Sequence, residues 1–209
     1  MNIVRYPTDR LERLLRDQQV ATMPQLKSAL GTSVTFTVLR KLAPLGYRSS
    51  YSHCGTYYTL DSIAQYDERG LWAYRDIHFS RHGTLLNTAA TLVTNAPAGY
   101  FTDELDAVVH VATKDALRHL VQQDRLYRRE LTGRYLYCAK ERQHRQEQWA
   151  ARQAQQRSQL VQDFWRFFSA RGRPPPTRRT RSCSTWPLNN SARPRATVST
   201  SRPNNWAIR

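Results

Sequence analysis

Cysteine is scarce in this sequence of 209 residues, and no long apolar run is present. The three cysteines, Cys54, Cys138 and Cys183, lie far apart and form no CxxC pair, so neither a zinc ribbon nor a disulfide framework is expected. No stretch approaches the roughly 18 apolar residues of a membrane span, and the opening MNIVRYPTDR lacks the apolar core of a secretory signal. These absences predict a protein of the reducing cytoplasm without a membrane partner.

Catalytic motifs are absent as well. The sequence has no phosphate-binding glycine loop, nucleophile elbow or kinase signature. His78 and His82 stand four residues apart, but they fall in a strand-like stretch with no third ligand nearby. The acidic cluster of Asp103, Glu104 and Asp106 belongs to the start of a helix, and the chain has no room for the large α/β domain of an acidic-triad transposase. The sequence predicts a protein that is not an enzyme and has no catalytic residue, metal site or cofactor.

Acidic residues are half as numerous as basic ones. The chain has 32 Lys+Arg against 16 Asp+Glu, and its net charge of +16 points to a polyanionic partner. The excess is uneven, because residues 1–150 carry 20 basic and 15 acidic residues whereas residues 151–209 carry 12 and 1. The folded part is therefore only mildly basic, and nucleic-acid binding there must depend on shape more than on bulk charge.

The sequence does contain short amphipathic helices that are followed by hairpins. At about 100° per residue, the helix predicted for residues 33–43 places Val34, Val38 and Leu42 on a buried stripe. Its opposite side presents polar groups and one phenyl ring, carried by Ser33, Phe36, Thr37, Arg40 and, at the edge, Lys41. Gly46 suits the left-handed position that ends a helix, and alternating residues on both sides of Gly55 predict a β-hairpin.

Two further helices precede this one. They are TDRLERLLRDQQ, with Thr8 as N-cap, and MPQLKSALG, with Pro24 in its first turn and Gly31 at its end. The order helix, helix, helix, hairpin in residues 8–60 resembles winged helix-turn-helix DNA-binding domains. The resemblance implies that the third helix enters the major groove of double-stranded DNA. The expected fold class is mainly α with small β-hairpins (α+β).

The pattern occurs twice. A shift of 78 positions aligns core positions and the hairpin turn, pairing Leu14 with Leu92, Leu15 with Val93, Thr35 with Thr113, Leu39 with Leu117, Leu42 with Leu120, Gly55 with Gly133 and Tyr57 with Tyr135. A second winged helix is therefore predicted for residues 83–139, with chance agreement among leucine-rich helices as the alternative. Its third helix exposes Lys114 and Arg118, but also Asp115, which is unfavourable at DNA unless it accepts from a cytosine amino group. The first copy is the better base reader, and the second contacts phosphates or serves in packing or dimerisation.

Three segments lie outside the two copies. Residues 61–82 are predicted to form a structured aromatic connector, with a short helix at residues 63–66 and aromatic side chains that pack rather than stack on bases. Residues 140–170 lack glycine and proline and predict a helix, whose apolar residues near the end could dock on a domain or a partner. Residues 171–209 contain no acid and no lysine, which predicts a disordered tail. That tail is either a genuine Arg-rich nucleic-acid arm or the product of a frameshift.

The expected DNA contacts follow from side-chain chemistry. Arg40 can bridge O6 and N7 of guanine, Ser33 and Thr37 can bond to bases or phosphates, and Phe36 can meet a thymine methyl group. Hairpin residues such as Arg48 are expected to hold the DNA backbone. The predicted DNA-binding residues are Ser33, Phe36, Thr37, Arg40, Lys41, Arg48, Ser50, Lys114, Arg118 and Arg134.

The segment FTVLRKLAPLGY…SYSHCGTYYTL is similar to winged-helix proteins encoded with bacterial transposable elements. This similarity implies a non-catalytic DNA-binding protein of a mobile element, or a truncated remnant of one. Its implied partners are double-stranded DNA and either a separate transposase or a second copy of the chain, and its place is the cytoplasm, at the nucleoid. Two alternatives stay open, a prokaryotic transcriptional regulator and a protein–protein assembly module.

Overall fold

Seven α-helices and eight short strands form the part of the protein that the computed structural model describes, residues 7–170. The helices are α1 (Asp9–Gln18), α2 (Met23–Leu30), α3 (Thr35–Leu42), α4 (Leu85–Asn95), α5 (Thr102–Val109), α6 (Lys114–Gln122) and α7 (Arg142–Ala170). The strands are β1 (Ala21–Thr22), β2 (Tyr47–Ser49), β3 (Tyr57–Leu60), β4 (Leu71–Tyr74), β5 (Ile77–Ser80), β6 (Tyr100–Phe101), β7 (Leu126–Leu131) and β8 (Arg134–Ala139). All the strand pairs are antiparallel, in three small sheets, so the α+β class is confirmed. The predicted tail, residues 171–209, lies outside the described residues.

The first repeat, residues 8–60, packs α1, α2 and α3 with a sheet of strand order β1-β3-β2. Apolar residues at helical spacing meet in one core, formed by Leu11, Leu15, Ala21, Leu26, Leu30, Val38, Leu42 and Leu60. Helix α2 begins where the N–H and the hydroxyl of Thr22 both donate to Oε1 of Gln25, at 2.7 and 2.8 Å. It ends at Gly31, whose φ of +75° is the left-handed conformation expected there.

The second repeat, residues 83–139, has the same order of elements, and its sheet has the equivalent strand order β6-β8-β7. Its core contains Ala89, Leu92, Val93, Leu105, Val109, Leu117, Leu120, Leu126 and Tyr137. Helix α5 begins at Thr102. Phe101 holds the cap position, and its N–H donates to Oε2 of Glu104 at 3.1 Å.

The two repeats match at a shift of 79 positions over most of their length, not 78. Met23 and Thr102, which begin the second helix of each repeat, are 79 positions apart, and so are Thr35 and Lys114, which begin the third. The loop after the first helix is two residues longer in the second repeat, because the ends of α1 and α4 are 77 positions apart and the second and third helices begin 79 positions apart. That loop is residues 19–20 in the first repeat and residues 96–99 in the second. The shift of 78 pairs Leu39 with Leu117, whereas the shift of 79 pairs Leu117 with Val38, and these two residues are both fully buried.

The connector is a hairpin and not a helix. Residues 61–63 form turns, residues 64–66 have no regular structure, and β4 pairs with β5 from Leu71↔Ser80 to Tyr74↔Ile77. The predicted packing of its aromatic residues is confirmed, because Phe79 is fully buried and Trp72 lies 5.2 Å from it between ring centroids. The predicted helix at residues 63–66 is therefore wrong, because this segment is the irregular connection between β3 and the hairpin of β4 and β5.

Helix α7 confirms the helix predicted for residues 140–170, and two of its side chains anchor it to the second repeat. Gln148 is fully buried, and its amide group donates to the carbonyls of Val93, Thr94 and Ala96 at 2.9, 3.2 and 2.7 Å. Its Oε1 accepts from the N–H of Ala139 at 2.8 Å. One turn later Arg152 donates to the carbonyls of Ala98 and Gly99 at 3.0 and 2.7 Å, and to both carboxylate oxygens of Glu104 at 2.8 Å. The apolar residues further along α7, Leu160, Val161, Phe164 and Trp165, are exposed.

Candidate nucleic-acid interface

Helix α3 presents the predicted outer face to solvent. Ser33 and Arg40 are exposed, Phe36 is 72% exposed, and Thr37 and Lys41 are half-buried. Its inner side is formed by Val38 and Leu42, which are fully buried. Four of the predicted residues, Phe36, Thr37, Arg40 and Lys41, therefore lie on the accessible side of α3 or at its edge, and the exposed Ser33 precedes the helix.

Val34 is an exception to the predicted buried stripe. It is 52% exposed because α3 begins at Thr35, so Val34 lies outside the helix whose rotation was expected to bury it. Val34 is the N-cap residue and has extended backbone angles, so its side chain does not follow the helical rotation. The exposed surface at the start of α3 is consequently more apolar than predicted.

The charge around α3 is basic. Residues 18–60 contain Lys27, Arg40, Lys41 and Arg48 and no acidic residue. Within residues 7–170, neither Arg40 nor Lys41 forms an ion pair. Because no carboxylate competes for these two cations, they are available to an anionic ligand.

Arg48 is engaged within the protein. Its Nε donates to Oδ1 of Asp61 at 2.8 Å, and the hydroxyl of Tyr66 donates to the same oxygen at 2.9 Å. Partial burial raises the pKa of Asp61, but the hydrogen bonds from Arg48 and Tyr66 outweigh that effect and leave the pKa below its ordinary value. Burial and the bond to Asp61 raise the pKa of Tyr66 to about 12. Arg48 therefore ties β2 to the connector, and part of its donor capacity is already used.

Ser50 does not fit a DNA contact. Its side chain is 3% exposed and its hydroxyl donates to the carbonyl of Ser52 at 2.9 Å. The sequence predicts that Ser50 contacts DNA, but it follows the end of β2 at Ser49 and is buried. Ser52 is buried too, and its hydroxyl oxygen accepts from the N–H of His78 at 2.9 Å. Ser50 and Ser52 therefore have structural roles in this hairpin.

In the second repeat the predicted residues separate into two groups. Lys114 and Arg118 are exposed on α6, beside the exposed Asp115. Arg134 pairs with Asp103, and its guanidinium carbon lies 4.1 Å from the ring centroid of Phe101. The hydrogen bond from Arg134 holds the pKa of Asp103 below its ordinary value. Arg134 thus connects the hairpin to the start of α5, whereas Lys114 and Arg118 remain accessible.

The sequence reasoning missed a basic surface on the second hairpin and α7. Strands β7 and β8 have six residues each, and Arg128 and Arg129 on β7 are exposed. Arg128 lies over the ring of Tyr135 at 4.6 Å, and Arg129 lies over the ring of Trp149 on α7 at 4.3 Å. The alternation of basic and aromatic residues in RLYRRELTGRYLY was a signal for the hairpin part. The contribution of α7 had no such signal, because it arises only from packing.

Two further properties concern residues 7–170 alone. No three His, Cys, Asp or Glu side chains in that part of the chain come close enough together to hold a metal ion. None of its helices combines the length and apolarity needed to cross a membrane.

Comparisons with protein-family models, curated proteins and solved structures give no match to this chain.

Proposed function

We propose that this chain is a non-catalytic, sequence-specific double-stranded DNA-binding protein built from two winged helix-turn-helix units. Each repeat contains three helices, a short strand after the first helix, and a hairpin that completes a three-stranded sheet. That arrangement is the one expected of a winged helix, in which the third helix lies in the major groove and the hairpin is the wing. In this proposal α3 reads bases, and the second repeat contributes backbone contacts.

The observation that carries the proposal is the outer face of α3. It combines the unpaired Arg40, the hydroxyls of Ser33 and Thr37, and the exposed ring of Phe36, in a stretch of chain without acidic residues. Arginine bonds to guanine O6 and N7, hydroxyls bond to bases or phosphates, and an apolar ring contacts the methyl group of thymine. A helix with these groups on one accessible side has the donors and the apolar contact that direct readout requires.

The test begins with selection of a preferred duplex from a random library by the full chain. Arg40→Ala should then weaken binding to the selected duplex by about 1–3 kcal/mol and relax preference at one base pair. Arg13→Ala is the matched control, because Arg13 is exposed on α1 and forms no ion pair with another described residue. Fluorescence anisotropy with wild-type and mismatched duplexes measures both effects. If Arg40→Ala keeps its fold and the full site preference, α3 is not the reading helix.

The biological setting that we propose is a bacterial mobile element, where the chain would recognise a DNA site and act with a separate transposase or with a second copy of itself. This part of the proposal comes from the similarity of residues 10–138 to winged-helix proteins encoded with bacterial transposable elements. Gene neighbourhood distinguishes this setting from that of a transcriptional regulator. A transposase reading frame beside this gene supports the first, and a promoter with the selected site supports the second.

An assembly module is the second candidate function, and the apolar side chains at the start of α3 favour it. Val34 and Phe36 are 52% and 72% exposed and stand two positions apart. Exposed apolar groups that are close together often mark protein interfaces. Under this alternative, Phe36→Ser abolishes self-association measured by sedimentation velocity, whereas Arg40→Ala leaves it unchanged.

A further inference from the structure

A cleft of about 300 Å³ lies between the second hairpin and α7. Its lining comes from both strands of the hairpin and from the helix, and consists of Tyr127, Arg129, Cys138, Arg145, Gln146 and Trp149. Tyr127 and Arg129 are two positions apart on β7, so their side chains face the same side of the sheet. Their cross-strand partners, Cys138 and Leu136, face that side as well. The cleft is therefore built on the side of the sheet that packs against α7, away from the core of the repeat.

Two arginine–aromatic stacks cross this cleft in opposite directions. Arg129 of β7 lies over the ring of Trp149 of α7, with 4.3 Å between the guanidinium carbon and the ring centroid. Arg145 of α7 lies over the ring of Tyr127 of β7 at 4.1 Å. Stacking covers one face of a guanidinium group and leaves its N–H edge able to donate. Each element thus orients the cation of the other before any ligand binds.

The two cations have no counter-charge in the cleft. No carboxylate lines it, and neither Arg129 nor Arg145 forms an ion pair with any residue of 7–170. Arg145 uses one N–H on the carbonyl of Lys140 at 3.1 Å, which leaves its other donors available. Two like charges in one small cleft repel each other, so a bound anion would remove that repulsion and also gain hydrogen bonds.

We propose that Arg129 and Arg145 bind a phosphate group in this cleft. Phosphate oxygens match the fork of donors on a guanidinium edge, and a cleft of this volume admits one phosphate with its attached sugar or alkyl group. The group comes either from the backbone of a bound duplex or from a free phosphorylated small molecule. The first source rests on the proposed function, and the second is independent of it.

The duplex experiment uses the full chain and the double substitution Arg129→Gln with Arg145→Gln. If the cleft binds a backbone phosphate, the negative slope of log affinity against log salt concentration should become shallower by about 0.9 in the double variant. The change should be the same for all duplex sequences, and the site preference should remain. The matched control is Arg10→Gln with Arg13→Gln, which removes the same charge from two exposed residues of α1 and should leave the slope unchanged. Arg129→Gln alone is the second variant, because it leaves the bond from Arg145 to Lys140 intact.

The free-phosphate experiment follows the indole N–H resonance of Trp149, assigned with Trp149→Phe, during titration with inorganic phosphate. Binding should shift this resonance in the wild-type chain and leave it unmoved in the double variant. A phosphate-dependent shift without any duplex binding would support the phosphate site, with a small molecule as its ligand, and would refute the proposed function. Sequence-specific duplex binding with an unchanged slope in the double variant, and no phosphate-dependent shift, overturns this inference and leaves the proposed function intact.

Discussion

Gly99 is a residue whose replacement the structure forbids for two separate reasons. Its φ is +62°, and an added Cβ atom would collide with the carbonyl oxygen of Tyr137. Gly83 has a similar φ of +85°, but nothing lies within 4 Å of the equivalent position. Gly99→Ala should therefore lower the free energy of unfolding by about 1–3 kcal/mol more than Gly83→Ala does, as measured by urea titration. Equal losses would show that backbone strain alone sets the cost.

The two described cysteines should differ sharply in reactivity. Cys138 is buried, and burial raises the pKa of its thiol to about 11, whereas Cys54 is exposed. Because the thiolate is the reactive form, iodoacetamide at mildly alkaline pH should label Cys54 readily and Cys138 only after urea unfolds the chain. Peptide mass spectrometry measures the two rates. Rapid labelling of Cys138 in the folded chain would contradict its burial under α7.

Residue-level exposure could be predicted from the sequence where helical rotation decides it and not where the chain turns. Phe36 and Arg40 are exposed as expected, because the 100° rotation of a helix is a local property. Ser50 and Val34 depart from expectation because each lies just outside an element, where the period no longer applies. Element ends are set by capping and by tertiary contacts, and a single sequence does not reveal them fully.

At the scale of elements, Gln148 is the neutral one of the two side chains that anchor α7 to the second repeat. The two amide N–H groups of Gln148 are shared among three carbonyls at the end of α4, and its Oε1 accepts from one N–H of β8; all of these bonds are buried except the partly buried one to Thr94. Gln148→Ala leaves these buried groups without their partner and should lower the free energy of unfolding by about 2–4 kcal/mol. Gln153→Ala, at an exposed position of the same helix, should change it by less than about 0.5 kcal/mol. Urea titration of both variants measures the difference.

Gln148→Glu tests whether the amide donors are responsible for this stabilisation. The carboxylate has nearly the same shape but presents only acceptors to the three carbonyls of α4. We expect it to destabilise the protein at least as much as Gln148→Ala does. A stable Glu variant would mean that packing, and not hydrogen bonding, holds α7 in place.

The helices of both repeats and their hairpins, β2–β3 and β7–β8, could be predicted because their signals are local. These signals are the apolar periodicity, Gly31 and Gly46 at helix ends, and the glycines of the turns. The connector hairpin and the docking of α7 could not. The packing of the connector's aromatic residues was predicted but their hairpin was not, and Gln148 looks like any other glutamine of a Gln-rich helix although it bonds to residues more than 50 positions away. Long-range packing decides such cases, and it leaves no periodic trace in the chain.

For the whole molecule, polar and ring contacts link the two repeats, both directly and through the connector. The hydroxyl of Tyr51 donates to the carbonyl of Val109 at 3.1 Å, and its N–H donates to the carbonyl of His78 at 3.0 Å. The ring of His78 stacks on that of His110, with 5.3 Å between centroids. The Nδ1 atom of His78 is buried without a hydrogen-bond partner. Protonation of His78 is therefore unfavourable in the folded chain.

This contact should make stability depend on pH. Burial, together with repulsion from His110 and His53, lowers the pKa of His78 below 6.5, and the opposing attraction of Asp76 is smaller. The unfolded chain takes up the proton first, so the free energy of unfolding should be highest above pH 6.5 and fall as the pH drops toward the lowered pKa. His78→Gln should flatten this decline in urea titrations, whereas His119→Gln, at an exposed position of α6, should not. An unchanged decline in His78→Gln would assign it to other groups.

The longer loop of the second repeat makes the two repeats unequal as building blocks. Residues 96–99 replace a two-residue connection, and three of its carbonyls, those of Ala96, Ala98 and Gly99, accept hydrogen bonds from Gln148 or Arg152. The longer loop thus provides the binding site for α7. Within the described residues, the first repeat has neither such a loop nor such a helix. The smallest autonomous fragment that contains the second repeat therefore extends at least to Arg152. A chimaera with two copies of residues 8–60 would keep its α+β pattern and lose the receptor for α7.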